Sequence, residues 1–206
     1  MLFQVTALVG LAVTAQAGVD AHELAKRAAQ PGEIKRIMST ADGPLGVDGL
    51  WGLSGSFIAD AGCQQAYDAL RDIRQYPTHA DGVKRVNVLE ETDGSLRVEY
   101  TEGMLGLEST STQLWRFKSA PVPTITSVSV GKEDPPSWLE MTLHDAGHPK
   151  YCEVNIRVFA DMSAVPDFIM KWVSAMAAKQ LAATYRSIIR GGVEQDKAGA
   201  PTSGKP

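Results

Sequence analysis

The sequence has few of the residues that mark a metal, redox or nucleic-acid-binding protein. Its 206 residues include only two cysteines and four histidines. Cys63 and Cys152 are too far apart for a CxxC motif, and no histidine has the spacing of a zinc site. The formal net charge is -4 and the basic residues are scattered, so no positive surface is expected to attract phosphates. We therefore predict no metal, no cofactor and no nucleic-acid partner.

Common catalytic signatures are missing as well. The chain contains no GxSxG elbow, no phosphate-binding loop and no GxGxxG fingerprint. His144 and His148 flank an Asp145-Ala146-Gly147 turn, which is either a metal or proton-transfer cluster or a solvated hairpin tip. We favour the hairpin tip and predict no catalytic residue.

The first 17 residues carry no charge and end in Ala15-Gln16-Ala17, a pattern that signal peptidase cleaves. A transmembrane helix needs roughly 20 apolar residues, whereas this run is shorter and is soon followed by Asp20. No other segment is long and apolar enough to span a membrane. We predict a signal peptide over residues 1–17 and a secreted or periplasmic protein, although the uncharged n-region is atypical. A membrane-anchored form is the alternative.

The remaining composition is typical of one globular domain, with 44% hydrophobic and 21% charged residues. Residues 18–47 are predicted to form an N-terminal helix and a linker, because helix formers precede Pro31-Gly32. The domain itself is predicted over residues 48–191. Residues 192–206 are predicted to be a disordered tail.

Within the domain, a period of two predicts strands and a period of 3.6 predicts helices. Residues 50–59 alternate as a strand does, and the stretch of residues 63–77 is predicted to contain an amphipathic helix that stops before Pro77. Six further strand candidates follow, and the short links between them favour antiparallel neighbours. They are residues 83–90, 95–101, 109–118, 124–131, 137–144 and 151–160.

A long helix is predicted from Val165 to Arg190, between the start signals of Asp161-Met162-Ser163 and a Gly191-Gly192 stop. We expect it to cover the dry face of the sheet, which gives an α+β fold. A stripe of mainly small residues falls on one side of this helix. Small side chains leave volume between helix and sheet, unless large side chains of the sheet fill the space. The stripe consists of Ile169, Val173, Met176, Ala177, Gln180, Ala183 and Thr184.

Two segments match a known pattern. Ala66–Asp72, followed by Tyr76-Pro77 and Val83–Leu89, has the form of a helix that leads into a second strand, and Ala160–Phe168 that of an entry to a closing helix. With the order of elements, these segments resemble the START-like (SRPBCC) superfamily over about residues 48–190. Polyketide cyclases and coenzyme Q-binding START-like proteins share its helix-grip fold.

The resemblance implies about seven antiparallel strands that curl around the C-terminal helix, with two short helices after the first strand. It also implies a tunnel for an apolar ligand such as a lipid, sterol, quinone or polyketide. The implied function is binding or transfer of that ligand, and the alternative is a polyketide cyclase or aromatase that uses the same cavity. The predicted ligand contacts are Tyr100, Trp115, Phe117, Met141, Ile169, Val173, Met176, Ala177, Gln180 and Thr184.

Two apolar loops bear on transient membrane contact. Met104, Leu105 and Leu107 lie at a predicted hairpin tip, and Trp138 follows two prolines in another loop. Exposed apolar tips and interfacial tryptophans dock proteins onto bilayers. The alternative is that these side chains fold back over the mouth of the cavity.

The resemblance also bears on the cysteines. In the family the first and last strands are antiparallel neighbours, which would bring Cys63 close to Cys152. We predict a disulfide between them in an oxidising compartment. Two buried free thiols are the alternative.

Overall fold

A computed structural model describes residues 19–104, 107–163 and 167–199. Met104, Leu107, residues 167–175, Lys197 and Gly199 are described by their backbone alone. The helices are α1 (Ala21–Ala29), α2 (Cys63–Arg71), α3 (Tyr76–His79) and α4 (Asp167–Gly199), with a 3-10 turn at Ile73–Gln75. The strands are β1 (Glu33–Met38), β2 (Trp51–Ala59), β3 (Val83–Thr92), β4 (Ser95–Met104), β5 (Leu107–Lys118), β6 (Thr124–Ser129), β7 (Ser137–Asp145) and β8 (Cys152–Ala160).

The described strands form one curved antiparallel sheet in the order β1-β2-β8-β7-β6-β5-β4-β3. Alternate side chains point to opposite faces of a strand, so Met141 and Ile156 are buried on the concave face while Arg157 is exposed on the convex face. The predicted α+β fold with a long C-terminal helix is confirmed. The described residues form eight strands instead of the predicted seven or so.

The additional strand, β1, lies in the segment that the sequence predicts to be a linker. It pairs with β2 from Glu33 opposite Ser56 to Met38 opposite Trp51. Four of its six residues are exposed, as on the edge of a sheet. Ile34 packs partly against the core. The two isoleucines of β1, Ile34 and Ile37, are three residues apart, so the sequence of this strand shows no period of two.

The predicted helix end at Gly191-Gly192 is wrong, because α4 continues to Gly199. A Cβ atom at Gly191 would collide with the ring of His79, and one at Gly192 would lie 2.6 Å from the Cβ of Ala69. These glycines therefore allow close packing of α4 against α2 and α3 and do not end the helix. Residues 200–206 of the predicted tail lie outside the described residues.

The N-terminal helix is attached to the rest of the domain through Arg186 of α4. Its guanidinium donates hydrogen bonds to the carbonyl of Ile58, at 2.9 Å, and to that of Gln30, at 2.6 Å. Leu24 of α1 is buried. A cation at the carbonyl end of a helix is also favoured by the helix dipole. The predicted signal peptide, residues 1–17, lies outside the described residues.

Cys63 and Cys152 form the predicted disulfide, with Cα atoms 4.8 Å apart. β2 and β8 are antiparallel neighbours, and Ala59 at the end of β2 lies opposite Cys152 at the start of β8. Because α2 begins shortly after β2, Cys63 comes beside this end of the sheet.

Among the helices of the described residues, none is long and apolar enough to cross a membrane.

Candidate functional site

The concave face of the sheet has two ends that are covered differently. We call the part beneath α2, α3 and the second half of α4 the filled end, because large buried side chains pack together there. Tyr67, Leu70, Ile73 and Tyr76 pack there against the sheet, and Ile188 closes it from α4. We call the part beneath the first half of α4 the open end. On its β2 side, Ala177, Ala178 and Leu181 pack against Trp51 and Leu53.

Three predicted ligand contacts lie at the filled end. Trp115 and Met141 are 2% and 0% exposed, and Phe117 is half-buried with the guanidinium of Arg71 5.9 Å from its ring centre. Tyr76 makes an edge contact with Trp115, with ring centres 5.8 Å apart. The structure therefore assigns these three residues to the packed core, and their contact with a ligand stays a prediction.

Polar side chains follow Trp115 along the concave face toward the open end. Gln113 accepts hydrogen bonds at its Oε1 atom from Trp115 Nε1, at 3.1 Å, and from Ser127 Oγ, at 3.0 Å. Its Nε2 atom donates to Ser111 Oγ at 3.2 Å. This network fixes the side-chain amide between β5 and β6. This hydrogen-bond network was not predicted from the sequence, although Ser111, Gln113, Trp115 and Phe117 alternate along one strand.

Three ionisable side chains meet beyond this network. Tyr100 and Glu102 share the concave side of β4 with Val98, because side chains alternate. Tyr185 reaches the same space from α4, and its ring centre is 6.5 Å from that of Tyr76. The sequence analysis predicted only Tyr100 of these three. Glu102 escaped notice because a glutamate near a hairpin tip usually faces solvent.

Burial shifts the pKa values of these three groups, and the two phenols are also affected by their charged neighbours. Burial raises the pKa of Tyr100 well above its usual value, with further contributions from Tyr185 and Glu102. Burial also raises the pKa of Tyr185, to which the Glu102 carboxylate adds. Burial raises the pKa of Glu102, although the residue as a whole is exposed to solvent. Both observations agree if the carboxyl lies at the mouth of an indentation, where solvent reaches one side of it.

The two phenol groups of this cluster have unused hydrogen-bonding capacity. Within the described residues, every buried side-chain nitrogen or oxygen has a hydrogen-bond partner. The hydroxyls of Tyr100 and Tyr185 make no such bond, so they must border space that water can enter. We call the space lined by Tyr100, Glu102 and Tyr185 the recess. It offers one carboxyl and two phenols to whatever occupies it.

The helix side of the site differs from the predicted stripe. Gln180 and Ala183 are exposed, while Met176, Ala177 and Thr184 are half-buried. The side chains of Ile169 and Val173 lie outside the described side chains. The packed face is displaced from the predicted stripe by one residue, roughly 100° around the helix axis. The sequence did not determine this orientation, because alanines lie on both sides of α4. This face comprises Ala178, Leu181, Ala182, Tyr185, Ile188 and Ile189.

The predicted membrane-contact residues are placed as follows. β4 ends at Met104 and β5 begins at Leu107, so the predicted hairpin is present, and Leu105 lies outside the described residues. Trp138 lies on the convex face, stacked on Phe159 with ring centres 5.9 Å apart. The guanidinium of Arg157 lies 6.0 Å from the centre of the Trp138 ring. Trp138 therefore does not cover the concave face, contrary to the alternative considered above.

The histidine cluster belongs to the hairpin between β7 and β8. His144 is exposed and hydrogen-bonds to Thr142 at 3.1 Å, and the ring of His148 lies 5.4 Å from that of Tyr151. In the part of the chain that the structure describes, no three potential ligands are grouped to hold a metal ion.

Comparisons with known proteins find similarity in structure only, since neither a family model nor a curated protein matches the sequence. Human STARD10 superposes with a TM-score of 0.63 at 13% identity, over 90% of this chain and 87% of its own. A STAR-related lipid transfer protein from Xanthomonas axonopodis gives 0.58 at 14% identity, over 76% and 93%. Zhui aromatase/cyclase from Streptomyces sp. R1128 gives 0.56 at 12% identity, over 81% and 98%. The chain thus has the START-like helix-grip fold.

Proposed function

We propose that this protein binds an apolar small molecule, such as a lipid, between the concave face of the sheet and the first half of α4, and carries it. The observation that supports this proposal most is the recess beside the open end. Protein interiors are normally packed to crystal density, yet Tyr100 and Tyr185 turn unpaired hydroxyls toward water-accessible space. Apolar walls with a few polar groups are typical of small-molecule sites. The similarity to a protein named for lipid transfer supports the same function.

The proposed site combines predicted residues with residues that the structure adds. Met176, Ala177 and Thr184 remain as contacts from α4, and Tyr100 remains from the sheet. Trp51 and Leu53 provide an apolar wall on the β2 side. The polar groups added on the opposite wall are Glu102, Ser111, Gln113 and Ser127, with Tyr185 from α4.

Export is part of the proposal. The disulfide supports it, because such bonds persist mainly in oxidising compartments. A carrier that loads from a bilayer also needs membrane contact, for which Met104, Leu105, Leu107 and Trp138 are our candidates. Flotation with phosphatidylcholine vesicles tests this contact: Leu107→Asp should reduce the bound fraction, whereas equal flotation of both proteins would contradict a role for the hairpin tip.

A pair of alanines on α4 allows a matched test of ligand binding. Ala177 is half-buried beside Trp51 and Leu53, whereas Ala183 on the same helix is exposed. We expect Ala177→Trp to reduce the affinity for the neutral dye N-phenyl-1-naphthylamine by about tenfold, a change of about 1.4 kcal/mol. Ala183→Trp should bind like the unaltered protein. Circular dichroism checks that both variants are folded.

Native mass spectrometry of the protein purified from its source gives an independent result. A co-purifying lipid or quinone would support the carrier, and its loss in Ala177→Trp would place it at α4. Equal dye binding by both tryptophan variants would contradict a site beneath the first half of the helix.

A polyketide cyclase or aromatase is the second candidate. The observation in its favour is Glu102, a carboxyl with a raised pKa beside two phenols, since such groups act as general acids and bases in aldol-type ring closure. Turnover of a polyketide-like thioester that Tyr100→Phe abolishes would favour the enzyme. Tight lipid binding without turnover would favour the carrier.

A further inference from the structure

We propose that the recess selects amphiphiles whose polar end donates a hydrogen bond, a hydroxyl or an amino group, over amphiphiles with an anionic head group, and that Glu102 makes this selection. The inference rests on the proposed function, because it assumes that an apolar chain lies between sheet and helix. It adds the chemistry of the polar end of the ligand.

Glu102 is exposed, but it lies on the face of the sheet opposite its nearest charged neighbours along the hairpin. The following residue, Gly103, faces the convex side, where a Cβ atom would lie 3.0 Å from the side chain of Lys84 and 3.5 Å from that of Glu108. Lys84 and Glu102 are thus on opposite faces of the sheet. The two ion pairs among the described residues, Arg74 with Glu91 and Arg85 with Glu99, do not involve Glu102.

The hydrogen-bonding capacity of the three groups is complementary to a hydroxyl or an amine. An ionised carboxylate only accepts hydrogen bonds, whereas a phenol donates one and also accepts. A ligand hydroxyl can therefore donate to Glu102 and accept from Tyr100 or Tyr185. Burial and the neighbouring carboxylate raise the pKa of both phenols, so both keep their donor protons at neutral pH. This arrangement gives hydrogen-bond partners in the ligand to the Tyr100 and Tyr185 hydroxyls and to the Glu102 carboxylate, which otherwise bond only to water.

An anionic head group meets the opposite situation. Its charge would lie against the Glu102 carboxylate, and no described lysine or arginine pairs with that carboxylate to offset the repulsion. Bringing like charges together costs free energy, also at the exposed Glu102, where water screens only part of the repulsion. The recess therefore discriminates against a fatty acid relative to the alcohol of the same chain length.

Three probes of equal chain length test this inference: dodecanol, dodecylamine and dodecanoate, each displacing N-phenyl-1-naphthylamine at neutral pH. For the unaltered protein we expect dodecanol to bind about tenfold more tightly than dodecanoate, and dodecylamine at least as tightly as dodecanol. In Glu102→Gln the difference between dodecanol and dodecanoate should fall to about threefold or less. In the same variant, the affinity for dodecylamine should fall most, because the substitution removes the carboxylate that attracts its ammonium group.

Glu108→Gln is the matched control, because it removes the same charge from the convex side of the same hairpin. It should keep the preference of the unaltered protein. Tyr100→Phe is a second variant without a charge change, and it should weaken dodecanol while dodecanoate changes less. Equal binding of the three probes, unchanged in Glu102→Gln, would overturn the inference and leave the proposed carrier intact. Failure of every probe and of the dye to bind would instead refute the carrier itself.

Discussion

The filled end and the open end belong to the same strands, yet they differ in what covers them. On β5, Trp115 lies beneath α3 and is 2% exposed, whereas Ser111 on the same face is half-buried near the open end. Three of the described helices cover the filled end, whereas the open end lies beneath the first half of α4. The comparison shows that alternation decides which side chains face inward, while the helices decide whether those side chains become core or line a site.

The disulfide strengthens the filled end, and its removal should have the largest effect on stability. It joins α2 to β8 across 89 positions of sequence. In the chain-entropy model, opening a loop of this length costs about 4.6 kcal/mol of unfolding free energy. We expect this loss in the double variant Cys63→Ala and Cys152→Ala, measured by urea unfolding. A loss below about 1 kcal/mol would mean that the helices alone hold the filled end together.

Met141 tests whether the filled end is purely structural. Its side chain is completely buried, so Met141→Ala should cost about 2 to 5 kcal/mol through lost burial and the cavity left behind. Met38 is 48% exposed on the edge strand, so Met38→Ala is the matched control. This variant should change the unfolding free energy by no more than about 0.5 kcal/mol. The dye affinity of Met141→Ala should stay unchanged. A parallel loss of dye binding would instead extend the ligand site into the filled end, as the sequence analysis predicted.

Glu102→Gln tests the open end, with a smaller effect that depends on pH. Because the pKa of Glu102 is higher in the folded protein than its usual 4.5, ionising this carboxyl is less favourable after folding. The folded state therefore bears a cost at neutral pH, and this cost disappears as the pH falls through the raised pKa. Glu102→Gln should have an equal or higher Tm at neutral pH, and the two proteins should converge below the usual pKa. Thermal melts across this range provide the measurement.

A lower Tm for Glu102→Gln at neutral pH would show that the carboxylate has a stabilising partner. This result would contradict the inference that Glu102 lies in the recess without a cationic partner. Glu108→Gln serves as the control here too, since Glu108 lies on the convex face of the same hairpin. Its melting curve should follow that of the unaltered protein at each pH.

Periodicity and turn signals were sufficient for most elements and insufficient for a few. Strands β4, β7 and β8 alternate most clearly, because one face meets the core and the other meets water. β1 escaped prediction because an edge strand with four exposed residues needs no such alternation. Gly191 and Gly192 look like a helix end in sequence, but their lack of a side chain serves contact with His79 and Ala69.

The sequence by itself determined the α+β architecture and the inward-facing side of most strands, and its resemblance to START-like proteins implied the disulfide between Cys63 and Cys152. These follow from alternation and from the order of elements. Only the tertiary structure decided which face of α4 is packed, that Met141 becomes core and that Glu102 joins Tyr100 and Tyr185. Those outcomes depend on how one long helix is rotated over a curved sheet, and alanines on both of its sides leave that rotation undetermined until the helix packs against the sheet.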